Sequence, residues 1–222
     1  MRRVILNFHG IGEPKRTLEP GEDQYWVSAA LFEEVLTLAE RLADRVTTQF
    51  TFDDGNTSDL EIGAVGLAKH GRTATFFVLS SRIDTPGSLG GEDIRELVAA
   101  GHEIGTHGAD HVDWRALDAV GQIREWQDAR RVIEDAAGQP ITSAAIPFGG
   151  YNKGVVEGLR REGYAQVYSS DGGAWHDGQY PIPRTSPRAD MTVEDIKAIL
   201  LGREPLKRRV RRRVAMAVKR RF

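Results

Sequence analysis

A chain of 222 residues, 40% hydrophobic and 28% charged, is long enough to bury a core and too apolar to remain disordered. It has no cysteine, which excludes disulfides and thiolate metal sites and leaves His, Asp and Glu as the available metal ligands. The net charge of −2 hides an asymmetry: Lys207, Arg208, Arg209, Arg211, Arg212, Arg213, Lys219, Arg220 and Arg221 fall within 207–222 with no acid among them, so the rest of the chain is acidic.

The N-terminus carries two arginines and then only a short apolar run before His9. That is too little for a signal peptide. No segment approaches the roughly 20 apolar residues of a membrane span. The expectation is a soluble cytoplasmic protein, with a secreted form that has lost its signal left open.

Residues 4–8 read as a short buried strand. Ser28 is placed to cap a helix running to about residue 43, with Leu31, Val35, Leu38 and Leu42 at helical spacing. A strand at 46–52, rich in Thr and Phe, follows. Ser58 can cap a helix over 59–70 that Gly71 ends. A strand at 73–79, a helix at 92–100 closed by Gly101 and a short strand at 102–106 come next. The spacing predicts a long helix over 116–137, stopped by Gly138 and Pro140. Then come a strand at 141–146, a helix at 152–162 ended by Gly163, strands at 165–169 and 180–184, and a helix at 191–201. Segments 14–22 and 81–91 read as surface loops. The stretch 172–187, rich in Gly, Pro and aromatics, reads as a cover over the mouth of the fold.

Strand–helix alternation of this kind predicts an α/β fold with a parallel sheet and outer helices. About seven strands without a dinucleotide fingerprint point to a distorted (β/α) barrel over 1–206, with 207–222 as a basic tail. In barrels the chemistry sits where strands end and loops begin. His9, Asp53, Asp54 and His107 all fall at such positions.

Three motifs stand out. Thr51-Phe52-Asp53-Asp54-Gly55 puts two carboxylates side by side, an arrangement that a divalent cation relieves. Neighbouring strand residues point in different directions, so one Asp can bind the ion while the other faces a water. Asp-Asp-Gly is also a common turn signal. His107-Gly108-Ala109-Asp110-His111 offers two imidazoles at a spacing that lets both reach one ion. The spacing alone is weak, but the strand before it delivers the pair to the barrel end that carries Asp53 and Asp54. Ile146-Pro147-Phe148-Gly149-Gly150-Tyr151-Asn152 forms a rigid loop whose backbone N–H groups can serve an oxyanion.

In this order the motifs resemble those of the polysaccharide deacetylases, the NodB-homology group or carbohydrate esterase family 4. Residues 51–55 match its first motif completely. Residues 101–111 match its second, except that Gly108 stands where a hydroxyl residue is usual. Ala145-Ile146-Pro147-Phe148-Gly149 matches an arginine-less form of its third. The resemblance covers roughly residues 3–200. It implies a metal-dependent hydrolase that removes an acetyl group from an N-acetylated sugar in a polysaccharide or glycan precursor. It implies Asp53 as general base and Asp54, His107 and His111 as ligands of a divalent metal, zinc in most of the family and cobalt or nickel in some. The Phe148 N–H would help bind the oxyanion, with Pro147 and Gly149 shaping that substrate loop.

Two departures follow. The family's arginine that orients the base is absent at Ala145, and Arg184 is the candidate replacement, since a guanidinium suits bidentate contact with a carboxylate. The late histidine that supplies the general acid is also missing. His176, beside Asp177, is one candidate and His9 the other; either can instead touch substrate. Trp175 and Tyr180 are candidates for stacking on a sugar ring. His70 and His102 read as structural. A non-catalytic carbohydrate-binding protein of the same fold, and an amidase acting on a non-sugar amide, remain as alternatives. The expected partner is a carbohydrate, polymeric or lipid-linked. In the tail, Val210, Val214, Ala217 and Val218 share one helical face among the cations, which suits an anionic membrane surface. The acidic body argues against nucleic acid.

Overall fold

The computed structural model describes residues 1–205 together with Val210, Val214, Met216, Val218 and Lys219. Most of the basic tail therefore lies outside the described residues. In chain order the elements are β1 (Arg2–Phe8), β2 (Gly10–Ile11), β3 (Trp26–Val27), α1 (Ala29–Arg41), β4 (Val46–Asp53), α2 (Val65–Lys69), β5 (Thr75–Val78), α3 (Gly91–Ala99), β6 (Glu103–Thr106), α4 (Ala119–Gln122), α5 (Ala129–Ala137), β7 (Ser143–Ala145), α6 (Lys153–Arg161), β8 (Gln166–Ser169), β9 (Ile182–Pro183) and α7 (Val193–Leu200).

Strands β1 and β4–β9 form one parallel sheet in sequence order. Residues just after β9 return to β1. The Asn7 N–H donates to the Thr185 carbonyl and the Thr185 N–H donates to the Ile5 carbonyl, both at 2.9 Å. The sheet thus curls into the nearly closed seven-stranded barrel expected from the sequence.

Alternation along the strands divides the core in two. Val4, Leu6 and Phe8 of β1, Phe50 and Phe52 of β4, and Phe76 and Val78 of β5 point outward and join one large cluster under the helices. Ile5, Phe77, Ala145 and Tyr168 pack together in a separate small cluster. Asn7, Thr51 and Asp53, on the same parity as Ile5, are buried as well. Close packing explains Gly105: a Cβ there would meet the Phe77 ring at 2.4 Å and the Ser143 hydroxyl at 2.6 Å.

Helix α1 starts where expected, with the Leu31 N–H donating to the Ser28 hydroxyl at 3.1 Å. The helix expected over 116–137 begins later, because the Asp118 carboxylate caps it by accepting from the Gly121 N–H at 2.8 Å. It also contains a π-helical stretch, Ile123–Asp128, between α4 and α5. Such widened turns often accompany functional sites.

One expectation is corrected. The stretch 172–187 does not cover the mouth as a unit. Ala174 bridges Val4 in antiparallel fashion, and the Trp175 N–H donates to the Arg3 carbonyl at 3.1 Å. That is the start of β1, six residues or roughly 20 Å of strand away from the mouth end. Only Gly172 and the residues after β9 line the mouth. No helix among the described residues is long and apolar enough to cross a membrane.

Candidate metal centre and active site

The pocket at the C-terminal ends of the strands is lined by His9, Asp53, Asp54, His107, His111 and Phe148, among others. Asp53 ends β4 and points into the barrel. Asp54 follows in a left-handed conformation, φ 78°. His111 (φ 53°) and Phe148 (φ 57°) share that strain, so three of the four described non-glycine residues with positive φ sit at one site. Each such residue costs about 1–3 kcal/mol and persists where the surroundings over-determine it, a pattern that clusters at functional sites.

Asp54 Oδ1 lies 3.6 Å from His107 Nε2 and 3.7 Å from His111 Nε2. It is buried and has no hydrogen-bond partner. The other nitrogen of each imidazole is engaged. His107 Nδ1 donates to the Ala145 carbonyl at 2.8 Å, and His111 Nδ1 donates to the Glu19 carboxylate at 2.9 Å. The tautomers are thereby fixed, and both Nε2 lone pairs face Asp54. Burial pushes the His107 imidazole down to about 4, against the opposing pull of Asp53 and Asp54, so it is neutral near pH 7 as a metal ligand must be. A tetrahedral ion with ligands at about 2.0–2.1 Å needs ligand–ligand edges of roughly 3.4 Å. The three residues, whose ligand atoms lie within 4.8 Å of one another, fit such an ion.

Asp53 belongs to a different network. Arg184, fully buried, donates Nη1 to Asp53 Oδ1 at 2.7 Å and Nη2 to Asp53 Oδ2 at 2.8 Å. Asn7 Nδ2 adds a bond to Oδ2 at 2.9 Å, while Asn7 Oδ1 accepts from Arg184 and from the Thr51 hydroxyl. Phe77 and Tyr168 offer ring faces to the guanidinium, with centroids 5.1 and 5.7 Å away. Burial by itself would push the Asp53 carboxyl up. Arg184, with help from His107 and His9, overrides it and holds the carboxyl well below the ordinary range. Asp53 is thus ionised and fixed in orientation. His9 Nε2 lies 4.0 Å from Asp53 Oδ2, and its ring packs on Tyr25.

The sequence-predicted residues therefore divide. Asp53, Asp54, His107, His111, His9, Phe148 and Arg184 converge. Phe148 lies at the pocket edge, 64% exposed, against the His111 ring at 4.4 Å. Pro147 is buried behind it, and the Gly149 carbonyl accepts from Lys219 Nζ at 2.7 Å. His176 and Trp175 do not converge, and both assignments are corrected. Trp175 packs on Ile5, Phe77, Ala145 and Tyr168 with the Arg3 guanidinium 4.2 Å over its ring. His176 is exposed beside it, where Arg3 pairs with Asp177 at 2.6 Å. The partly buried indole packs this segment against the far end of the barrel. Tyr180 also lies away from the pocket, bonded through its hydroxyl to the Tyr164 carbonyl. His70 pairs with Glu33 and Glu40, and His102 accepts from the Ala74 N–H at 3.2 Å, both away from the pocket.

Sequence reasoning missed three residues. Asn7 shares a face of β1 with His9, and that parity could have revealed it. Glu19 lies in a segment expected to be a surface loop, with no local signal. Glu125 projects from the π-helical stretch and is buried. Its carboxylate accepts from the Ala109 N–H (2.9 Å), the Asp110 N–H (3.0 Å) and Trp114 Nε1 (3.2 Å). It thus pins the loop between His107 and His111. A Cβ on Gly108 would stand 2.2 Å from Glu125 Oε2, and Gly108 has φ 89°. The carboxylate occupies the space a hydroxyl side chain would need, which explains the departure at 108.

Comparisons with known proteins bear on the family and the fold. The polysaccharide deacetylase family profile matches residues 43–167, more than half the chain. The chain is 29% identical over 136 residues to YxkH of Bacillus subtilis, covering 60% of this chain and 49% of that one. It is 33% identical over 109 residues to the peptidoglycan-N-acetylglucosamine deacetylase PgdA of Listeria monocytogenes, covering 48% of this chain and 22% of that one. The chain thus spans about half the length of one curated relative and about a fifth of the other. Among solved structures, the Streptococcus pyogenes deacetylase PplD in complex with acetate superposes with a TM-score of 0.76 at 19% identity, covering 92% of this chain and 99% of that one. The polysaccharide deacetylase BC0361 from Bacillus cereus gives 0.76 at 22%, covering 90% and 69%. At those identities the likeness shows the fold. Motifs, fold and profile together place this chain in the polysaccharide deacetylase family.

Proposed function

We propose that the protein is a metal-dependent hydrolase that removes the acetyl group from an N-acetylated sugar. One observation carries the reading: an orphaned Asp54 oxygen faces two imidazole Nε2 atoms, with an ionised, guanidinium-held Asp53 beside them. A binding protein needs no second carboxylate locked in place by a fully buried arginine.

Asp54, His107 and His111 would hold the ion. The mixed nitrogen and oxygen donor set favours zinc, with cobalt or nickel as substitutes. When bound, it supplies Lewis acidity for the amide carbonyl and for the attacking water. Asp53 takes a proton from that water as it adds to the carbonyl carbon. Arg184 and Asn7 keep the carboxylate aimed while it does so. The Phe148 backbone N–H donates toward the developing oxyanion. As the C–N bond breaks, His9 gives a proton to the sugar amine and acetate departs. His9 takes this role because it borders Asp53 in the pocket, while His176 lies at the other barrel end. Tyr25, whose ring packs on His9, also lines the pocket.

The test is acetate release from N-acetylated chito-oligosaccharides by the zinc-loaded protein, with a non-sugar acetamide as control. Asp53→Asn should abolish release, and chelation should abolish it until zinc is restored. Full activity of Asp53→Asn would refute the mechanism. Equal activity on the non-sugar acetamide would favour a general amidase.

A further inference from the structure

We propose that Glu19 is a positioning residue that couples the metal centre to one wall of the pocket, so that the ion and the loop 14–22 hold each other in place. The inference rests on the metal-site reading above. The two histidine ligands are backed differently. His107 Nδ1 donates to a neutral group, the Ala145 carbonyl on the adjacent strand β7. His111 Nδ1 donates at 2.9 Å to a carboxylate that comes from 92 positions away in the chain. A carboxylate behind an imidazole orients the ring and strengthens its other nitrogen as a donor to an ion.

Glu19 is itself fixed on both sides. Its Oε2 faces His111, and its Oε1 accepts from Arg82 Nη2. Its N–H donates to Glu22 Oε2 at 2.8 Å, and Glu22 accepts from Arg16 Nη1 at 3.0 Å. Arg16 Nε in turn donates to Asn56 Oδ1 at 2.7 Å. Asn56 follows the Asp-Asp-Gly turn that carries Asp54. The loop is therefore tied to both motifs that supply metal ligands. It is also pocket wall: Glu19, Pro20, Gly21 and Glu22 line the pocket, with Tyr25 just beyond them. Coupling of this kind is reciprocal. Whatever factor Glu19 adds to metal affinity, the metal adds to the Glu19–His111 contact. Metal binding thereby steadies the wall that a bound sugar meets.

The test uses the full chain, stripped of metal and titrated with zinc against a chromogenic chelator. Glu19→Gln should bind zinc about ten-fold more weakly, with its circular dichroism unchanged. The visible absorption bands of the cobalt-loaded protein should shift in the same variant, which loss of a distant loop contact would not cause. Hydrogen exchange supplies the reciprocal measurement. The Glu19 and Glu22 amides are both hydrogen-bonded within the loop. Zinc should slow their exchange by about ten-fold in the parent and leave it unchanged in Glu19→Gln. Parental zinc affinity in Glu19→Gln would overturn the proposal. So would zinc protection of the loop that survives the substitution. A parent chain that binds no zinc would overturn the metal-site reading and this proposal with it.

Discussion

Arg184 grips Asp53 with both terminal guanidinium nitrogens, at 2.7 and 2.8 Å, from the position where the chain leaves β9 to close the barrel on β1. The pair is fully buried, so each charge depends on the other. Removing one partner from a buried pair costs about 3–5 kcal/mol, because the remaining charge is stranded. Arg184→Met should lower unfolding free energy by about that amount and abolish acetate release. Arg184→Met with Asp53→Asn should recover much of the stability and none of the activity. Urea denaturation measures the first effect. Equal stability of the single and double variants would show that the two charges are not coupled.

Glu125 and Gly108 form a second dependent pair, in which one carboxylate oxygen fills the space above a glycine. Glu125→Gln keeps the shape but turns one acceptor into a donor facing backbone N–H groups. Zinc affinity, read by competition with a chromogenic chelator, should fall about 10- to 100-fold with the fold retained by circular dichroism. Gly108→Ser should be worse, since it meets both the close contact and the positive φ. Unchanged zinc affinity in Glu125→Gln would mean that the loop between the two histidines needs no such anchor.

The two candidate acids can be separated by one experiment. His9→Gln should lower kcat by about 10²–10⁴-fold, with a smaller effect on a substrate that has a better leaving group. His176→Gln should leave kcat and KM as they are. Loss of activity in His176→Gln would contradict its exposed place beside Trp175.

The metal-free protein should be acid-sensitive through His107. Burial holds its folded pKa at about 4, below the ordinary histidine value near 6.5. A depressed histidine favours the neutral form in the fold. Its contribution is complete above about pH 6.5 and is lost as pH falls toward 4. The expected loss is about 3 kcal/mol across that window. Thermal or urea melts in chelator should show it, and His107→Gln should flatten the slope. An identical slope in the variant would assign the acid sensitivity elsewhere.

Much of the site was legible because it is written in local sequence. Thr51–Gly55 and His107–His111 each follow a strand, and strand ends share one face of a barrel, so order along the chain sufficed to bring them together. The helix starts were partly legible through their caps: Ser28 caps α1 as expected, Asp118 shifts one start by three residues, and Ser58 caps nothing, its hydroxyl accepting instead from the Ile11 N–H at 3.3 Å. Glu19 and Glu125 were not legible. They reach the loop that carries His107 and His111 through loop 14–22 and a π-helical stretch, whose course depends on packing that no local pattern encodes. His176 misled because an imidazole next to an acid looks functional in one dimension, while the packing of the half-buried Trp175 on the far end of the barrel decides where it goes.

The residues of the pocket thus come from two kinds of information. The sequence by itself determined the barrel, the family and the grouping of Asp53, Asp54, His107 and His111, because the motifs that carry the family resemblance, and the strands that precede them, are local stretches of the chain. Only the tertiary structure decided which arginine holds Asp53, which histidine stands beside it, and why glycine occupies 108. Those answers depend on contacts between residues far apart in sequence, Arg184 with Asp53, His9 with Asp53 and Glu125 with Gly108, which barrel closure and close packing create.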